Sequence, residues 1–319
     1  MSVSQSHLEA PPAWPTPLAV GHGNLTTTVP KEYVHRAAVA EVMLTGWARL
    51  DETHFVVHGQ WPRSHVFFTP GADGLHDPTI VAETIRQAGL LLCHAELGVP
   101  LAHHFLMHDL HFQTRPDRLA VGYAPASLEI EVNCTEVKRR AGAVCRVTYE
   151  ATVLRDGVPA ATGGASTSTI TPRVYLRMRG EGTGRTPRPS AAADPRTVGR
   201  TCVDDVVLSP GDAPNRWLLR VDPRHPVLFD HPVDHIPGMA LVEAARQAAV
   251  AAIDGPTARI LDMAPGFSRY AELDAPCLVE ARRLPGNADG TRFPVLVTGF
   301  QRDEQVFSAM VTAGPSGLG

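Results

Sequence analysis

A glutamate, an arginine three residues later and a glutamine beside it occur twice in this chain: Glu83, Arg86 and Gln87, then Glu243, Arg246 and Gln247. A carboxylate can take a proton from an attacking hydroxyl. A guanidinium can hold a phosphate or another anion through paired, charge-assisted hydrogen bonds. Both sets nevertheless sit in apolar runs, "VAETIRQAG" (81–89) and "LVEAARQAA" (241–249). An uncompensated charge in such surroundings costs on the order of several kcal/mol.

At about 100° per residue, the first run sorts into two helix faces. Ile80, Val81, Thr84, Ile85, Ala88, Leu91, Leu92 and Ala95 form a broad apolar face. Glu83, Arg86, Gln87, Leu90 and His94 share a narrow stripe opposite it. The second run, from Met239 to Ile253, is apolar almost all round, which marks a buried helix. Two readings follow. Each glutamate belongs to a structural ion-pair network, or the charges mark an active site where two halves of the protein meet. One copy can serve each purpose. Asp77-Pro78 and Pro237-Gly238 open the two helices. Free N–H groups at such a start, Gly238 among them, can hold an anion or a developing oxyanion.

The elements around these residues repeat as well. Glu83 and Glu243, Arg86 and Arg246, and His65 and His225 are each displaced by 160 positions (243 minus 83). "VHRAAVAEVMLTG" (34–46) aligns with "VGRTCVDDVVLSP" (198–210). A repeat of this length is one folding unit duplicated and fused. Each unit predicts a short strand region such as 54–61 and then one long helix, about 77–97 or 238–253. Long antiparallel strands follow, over 127–137, 143–157 and 159–172 in the first half. "CLVEARRL", "RFPVLVTGF" and "QVFSAMVTA" are their counterparts in the second. The fold class is therefore α+β, two tandem units that each wrap a sheet around a central helix and pair within one chain. The boundaries read as a flexible tail (1–28), a first domain (29–178), a Gly/Pro/Arg linker (179–196) and a second domain (197–315).

Composition narrows the function. The chain has 319 residues, enough to bury two cores, and a net charge of −4, which gives nucleic acid no basic face. The five cysteines are scattered without C-x-x-C spacing, as expected for reduced thiols in the cytoplasm. No signal peptide and no membrane span is legible. His104, His108, Asp109 and His111 lie close together, but without H-E-x-x-H or a cysteine pair the expectation is a polar surface and no metal. "ATGGAST" (161–167) lacks a phosphate-loop Lys and reads as a bulged strand. No G-x-S-x-G is present.

"FDHPVDHIPGMALVEAARQAA" (229–249) resembles the β-hydroxyacyl carrier-protein dehydratases of the hotdog fold, and by that resemblance Glu243 occupies the place of their helix carboxylate. The position of their catalytic histidine holds Phe229 here, and Thr69 in the first half, with His231 and His235 out of register. That departure argues against simple dehydration. Over the whole of 29–313, "VPKEYVHRAAVAEVMLTGW", "HFVVHGQWPRSH", "DPTIVAETIRQAG" and "GVPLAHHFLM" together with 229–249 resemble the A-factor synthase (AfsA) family of tandem hotdog proteins. The resemblance implies an acyltransferase that needs no cofactor. A β-ketoacyl group from an acyl carrier protein (or CoA) thioester passes to the hydroxyl of dihydroxyacetone phosphate, the first step toward γ-butyrolactone, butenolide or furan signals.

On that reading Glu83 is the base, burial raising its pKa, and works with Arg246 from the other half, with Glu243 as a further catalytic candidate. Arg86, Gln87, Gln247, Gly238, His65 and His231 are the substrate-binding candidates. A hotdog thioesterase or dehydratase, and a non-catalytic acyl-binding module, are the alternatives. The oligomeric state stays open.

Overall fold

Leu128, Ile130, Val132 and Cys134 alternate with Glu129, Glu131 and Asn133. A period of two buries one face of a strand and wets the other. Those residues lie in a long strand whose apolar side chains are buried and whose glutamates are exposed. In the computed structural model, which describes residues 26–180, 188–253, 258–287 and 290–315, such strands build one continuous sheet.

The first half contributes β1 (Leu44–Arg49), β2 (His54–Trp61), α1 (Thr79–Ala95), β3 (His104–Thr114), β4 (Ala126–Arg140), β5 (Ala143–Arg155), β6 (Val158–Ile170) and α2 (Pro172–Arg179). The second contributes β7 (Leu208–Pro210), β8 (Arg216–Leu219), α3 (Gly238–Ala252), β9 (Ala258–Phe267), β10 (Leu278–Arg283), β11 (Phe293–Gln301) and β12 (Glu304–Pro315). The sheet order is β1-β2-β4-β5-β6-β3-β9-β12-β11-β10-β8-β7, antiparallel throughout. Read from the middle outward the two halves have the same order, so a pseudo-twofold axis runs through the seam between β3 and β9. Asp109 faces Gly266 there, and Phe112 faces Met263.

Each half folds its strands around its own long helix. α1 packs on β3, β5 and β6, and α3 on β9 to β12. From Thr79 to His94, Arg86 alone escapes full burial. Gly89 of α1 meets the sheet so closely that a Cβ there would lie 2.2 Å from the Tyr149 ring. The Tyr149 hydroxyl donates to the Ile85 carbonyl at 3.0 Å, which fixes the helix against β5.

The structure refines three stretches read from the sequence. β6 does carry irregular pairing, at Pro159–Ala161 against β5 and at Ser166–Thr167 against β3, but the Gly-Gly pair itself lies in the evenly paired stretch 162–166. The glycines are there because a Cβ on Gly163 would strike the His111 carbonyl at 2.2 Å, and one on Gly164 the Tyr149 carbonyl at 2.3 Å. Beyond β6 the chain enters α2, a short helix that falls almost wholly within the bounds read for the first domain. The Thr171 hydroxyl caps it by accepting from the Val174 N–H at 3.3 Å, with Pro172 in the first turn. Within the stretch read as linker, Ala193 is buried and its N–H donates to the Leu208 carbonyl at 2.8 Å. The expected tail (1–28) lies outside the described residues except for its last three.

Candidate active site

Two arginines close on one buried glutamate in each half. Glu83 accepts from Arg86 Nε at 2.9 Å and Nη2 at 2.7 Å, and from Arg36 Nε at 3.0 Å. Gln87 Nε2 also donates to it, at 2.6 Å, and ties the cluster to the backbone through the Glu41 carbonyl and the Met43 N–H. The second half repeats this arrangement. Glu243 takes Arg246 Nε and Nη2 at 2.8 Å each and Arg200 Nε at 2.8 Å, while Gln247 holds the Asp205 carbonyl and the Val207 N–H. Arg36 and Arg200 correspond at a displacement of 164 (200 minus 36) and lie in the repeat aligned above.

These contacts reverse the expected electrostatics of the glutamates. Burial pushes the Glu83 carboxyl up, but Arg36, Arg86 and the hydrogen bonds outweigh it and hold the pKa at about 2. Glu243 is held at about 2 in the same way by Arg200 and Arg246. A carboxylate so saturated is a poor proton acceptor, and its evident task is to fix the guanidiniums. The expected partnership of Glu83 with Arg246 across the halves is absent, because each glutamate pairs within its own helix and with the arginine upstream of it. What does cross the halves is a pair of straps. Arg36 Nη1 donates to the Val227 carbonyl at 2.9 Å, and Arg200 Nη1 to the Phe67 carbonyl at 2.7 Å.

The two junctions differ in what lies beside them. A cavity of ≈970 Å³ opens between α1 and the start of α3. Arg36 and Arg86 line it from the first half, and His231, His235, Gly238 and Met239 from the second. Pro237 precedes α3, and neither the Gly238 nor the Met239 N–H has an acceptor among the described residues. The equivalent start of α1 is closed by Asp77, whose Oδ1 accepts the Thr79 N–H at 2.9 Å and hydroxyl at 2.6 Å. The other oxygen of Asp77 lies 3.5 Å from Arg200. The Arg200 guanidinium is further covered by the Phe67 ring at 4.3 Å. Glu243, Arg246 and Gln247 accordingly sit in a sealed copy and do not line the cavity.

A second polar group stands in the cavity wall. His235 Nδ1 lies 2.7 Å from Asp234 Oδ1, which also accepts the Tyr175 hydroxyl at 2.6 Å. Arg179 bridges Asp234 (3.1 Å) and Glu272 (2.5 Å), and its guanidinium lies over the Tyr270 ring at 4.5 Å. The Tyr175 ring stacks on His104 at 3.6 Å. Burial would raise the Asp234 carboxyl, but the Tyr175, His235 and Arg179 contacts hold it well below the usual carboxylate range. Burial lowers the His235 pKa, against the opposing pull of Asp234.

Of the sequence-derived candidates, Arg86, Gly238 and His231 line this cavity, while Glu83 and Gln87 stand behind Arg86 without lining it. His231 is exposed and 3.3 Å from Asp230. His65 is elsewhere, in a turn, its Nδ1 accepting the Phe67 and Phe68 N–H groups at 3.1 Å, and its twin His225 holds the equivalent turn. His104 and His108 reach the cavity wall, whereas His111 turns to Glu150 at 3.1 Å. No metal cluster exists among the described residues. Sequence reasoning missed Arg36, Arg200, Tyr175, Asp234 and Arg179. The first two carried a signal, as arginines matched in the repeat. The last three did not, since they converge from segments far apart in sequence.

Comparison with known proteins places this geometry. The family model of the A-factor biosynthesis hotdog domain matches residues 20–171 and again 183–314. A 2-oxo-3-(phosphooxy)propyl 3-oxoalkanoate synthase from Streptomyces virginiae is 50% identical over 290 residues, covering 90% of this chain and 98% of that protein. One of the same name from Streptomyces griseus subsp. griseus is 41% identical over 310 residues, covering 96% and 97%. Among solved structures, a putative oleoyl thioesterase from Lactobacillus plantarum superposes with a TM-score of 0.53 at 11% identity, covering 82% of this chain and 97% of that one. The 12:0-ACP thioesterase from Umbellularia californica gives 0.51 at 12% identity, covering 82% and 94%. These two likenesses concern the fold, the double hotdog. With two arginine-clamped glutamates, a duplicated helix-in-sheet unit and a family match across both halves, this chain belongs to the A-factor biosynthesis hotdog domain family.

Proposed function

We propose that this protein transfers a β-ketoacyl group from a thioester to the hydroxyl of dihydroxyacetone phosphate, releasing the thiol. The product is the 2-oxo-3-(phosphooxy)propyl 3-oxoalkanoate that names its relatives. The donor in this reading is an acyl carrier protein thioester, and the setting is the cytoplasm. Five free cysteines accord with a reducing compartment, and no helix among the described residues is long and apolar enough to cross a membrane.

The observation that carries the reading is the cavity in which a guanidinium and an open helix start meet. Arg86 spends Nε and Nη2 on Glu83 and the Val34 carbonyl, and its Nη1 has no partner among the described residues. That donor suits the phosphate. The Gly238 and Met239 N–H groups suit the thioester oxygen as it becomes an oxyanion. Leu90, Phe105, Met107, Leu241 and Phe267 supply apolar wall for the acyl chain. With both substrates held, the hydroxyl oxygen attacks the thioester carbon, the C–S bond breaks and the sulfur leaves as thiol.

The test is mass spectrometry of wild type and Arg86→Ala supplied with a medium-chain β-ketoacyl carrier-protein thioester and dihydroxyacetone phosphate. Wild type forms the phosphorylated ester, and Arg86→Ala raises the KM for dihydroxyacetone phosphate by roughly 10- to 100-fold, the loss of one hydrogen bond to a charged group. Free β-keto acid without ester would instead establish a thioesterase.

A further inference from the structure

We propose that His235 is the proton acceptor for the attacking hydroxyl, through Nε2, and that Asp234 is its positioning residue. The inference rests on the acyl transfer proposed above. That reaction needs a base, and Glu83, the carboxylate nearest the arginines, has every oxygen occupied by donors. The cavity wall offers another group.

Four features of His235 suit the role. It lines the cavity, half-buried, three residues before the Gly238 N–H. One short turn therefore carries both the base and the oxyanion donors, close to the carbonyl they would share. Its Nδ1 is taken by Asp234, which places the ring proton on Nδ1 and leaves the Nε2 lone pair as the acceptor. Asp234 is itself fixed on three sides, by the Tyr175 hydroxyl and by Arg179 Nε on its carboxylate and by Arg179 Nη2 on its carbonyl at 2.9 Å. A carboxylate held by a phenol and a guanidinium stays ionised, so it orients the imidazole and balances the imidazolium without taking the proton. Finally, burial pulls the ring toward its neutral form, against the opposing pull of Asp234 and Glu272. The charged and titratable groups packed around it are Asp234, Arg179 and Glu272, with Tyr175, Tyr270 and His104 on the cavity side. Glu272 also pairs with His235 through an isolated backbone bridge.

The step balances. Nε2 accepts the hydroxyl proton as the oxygen–carbon bond forms. The imidazolium returns that proton to the departing sulfur as the C–S bond breaks, and the ring ends neutral. A purely structural dyad, tying the turn to α2, would make the same Nδ1 contact without making turnover depend on Nε2.

The experiment compares wild type, His235→Gln and Asp234→Asn in the coupled mass assay, across pH, with thermal unfolding of each protein as a control. We expect His235→Gln to lower kcat by roughly 100- to 10,000-fold, with the KM for dihydroxyacetone phosphate within about threefold. We also expect wild-type kcat/KM to fall on the acidic side as the ring protonates, and that fall to vanish in His235→Gln. Asp234→Asn should slow turnover while retaining that acidic limb. In parallel, nitrogen-15 histidine spectra of wild type report the tautomer directly and need no variant. Retained kcat in a folded His235→Gln, or a resting tautomer with the proton on Nε2, would overturn the proposal and leave the acyl transfer standing. Wild type that forms no phosphorylated ester would sink the acyl transfer, and this role with it.

Discussion

Glu83 and Glu243 look like bases in the sequence and like struts in the structure. Each is wholly buried, clamped by two arginines and held at a pKa of about 2. Losing such a carboxylate leaves two guanidiniums without compensation, a penalty of roughly 3–5 kcal/mol in comparable buried pairs. Inactivity of Glu83→Ala would therefore report on folding before chemistry. The sign of the pH effect follows from the lowered pKa values. Both carboxylates stabilise the fold above their unfolded value near 4.5 and lose that contribution as pH falls toward about 2. We expect urea-unfolding free energy to decline steeply across that window in wild type. Equal stability at pH 6 and pH 3 would contradict the clamped-carboxylate account. At this scale the sequence was half legible. The Glu-Arg-Gln spacing identified a buried polar cluster, and its duplication identified a pair. The repeat marked Arg36 and Arg200 as a matched pair, but not that each would turn a glutamate from an acceptor into an anchor, because they reach the site through tertiary contact.

Among the elements, α1 meets its sheet at a position with no room for a Cβ. Gly89 fills that position, and Tyr149, buried behind it, has nowhere to retreat. We expect Gly89→Ala to destabilise the protein by about 1–3 kcal/mol through overpacking, read as a lower midpoint in thermal unfolding. An unchanged midpoint would mean that α1 shifts freely over β5. The equivalent place in α3 is occupied by Ala249, which is buried. The period-two runs made β2, β4, β5, β6 and β10 to β12 readable. They failed at β9, where Asp262, Pro265 and Gly266 interrupt the pattern, and at α2, too short and too polar for a helical period to emerge. Only the Thr171-Pro172 start signal marked α2, and that helix carries Tyr175 and Arg179 to Asp234.

Across the whole molecule, duplication made the architecture plain from sequence, since two copies of one pattern imply two units and an axis between them. The loss of symmetry was hidden, because it turns on one position. Where the second half has Pro237 before its helix, the first has Asp77, and that side chain fills its own helix start and meets Arg200. A plug of one residue leaves no trace in periodicity or composition.

The plug at Asp77 also sets a stoichiometry. Two hotdog units would ordinarily offer two equivalent junctions, and a ligand could then bind twice with the second event coupled to the first. Here, among the described residues, the large cavity opens at the first junction, while Asp77 closes the helix start at the other. Calorimetric titration with a non-hydrolysable acyl thioester analogue should saturate at one equivalent per chain along a simple hyperbola, whereas two equivalents would mean that the Asp77 junction opens in solution. One equivalent would make this duplicated chain a monovalent receptor, with the clamped copy at Glu243 serving as the fastening that keeps the two units in register.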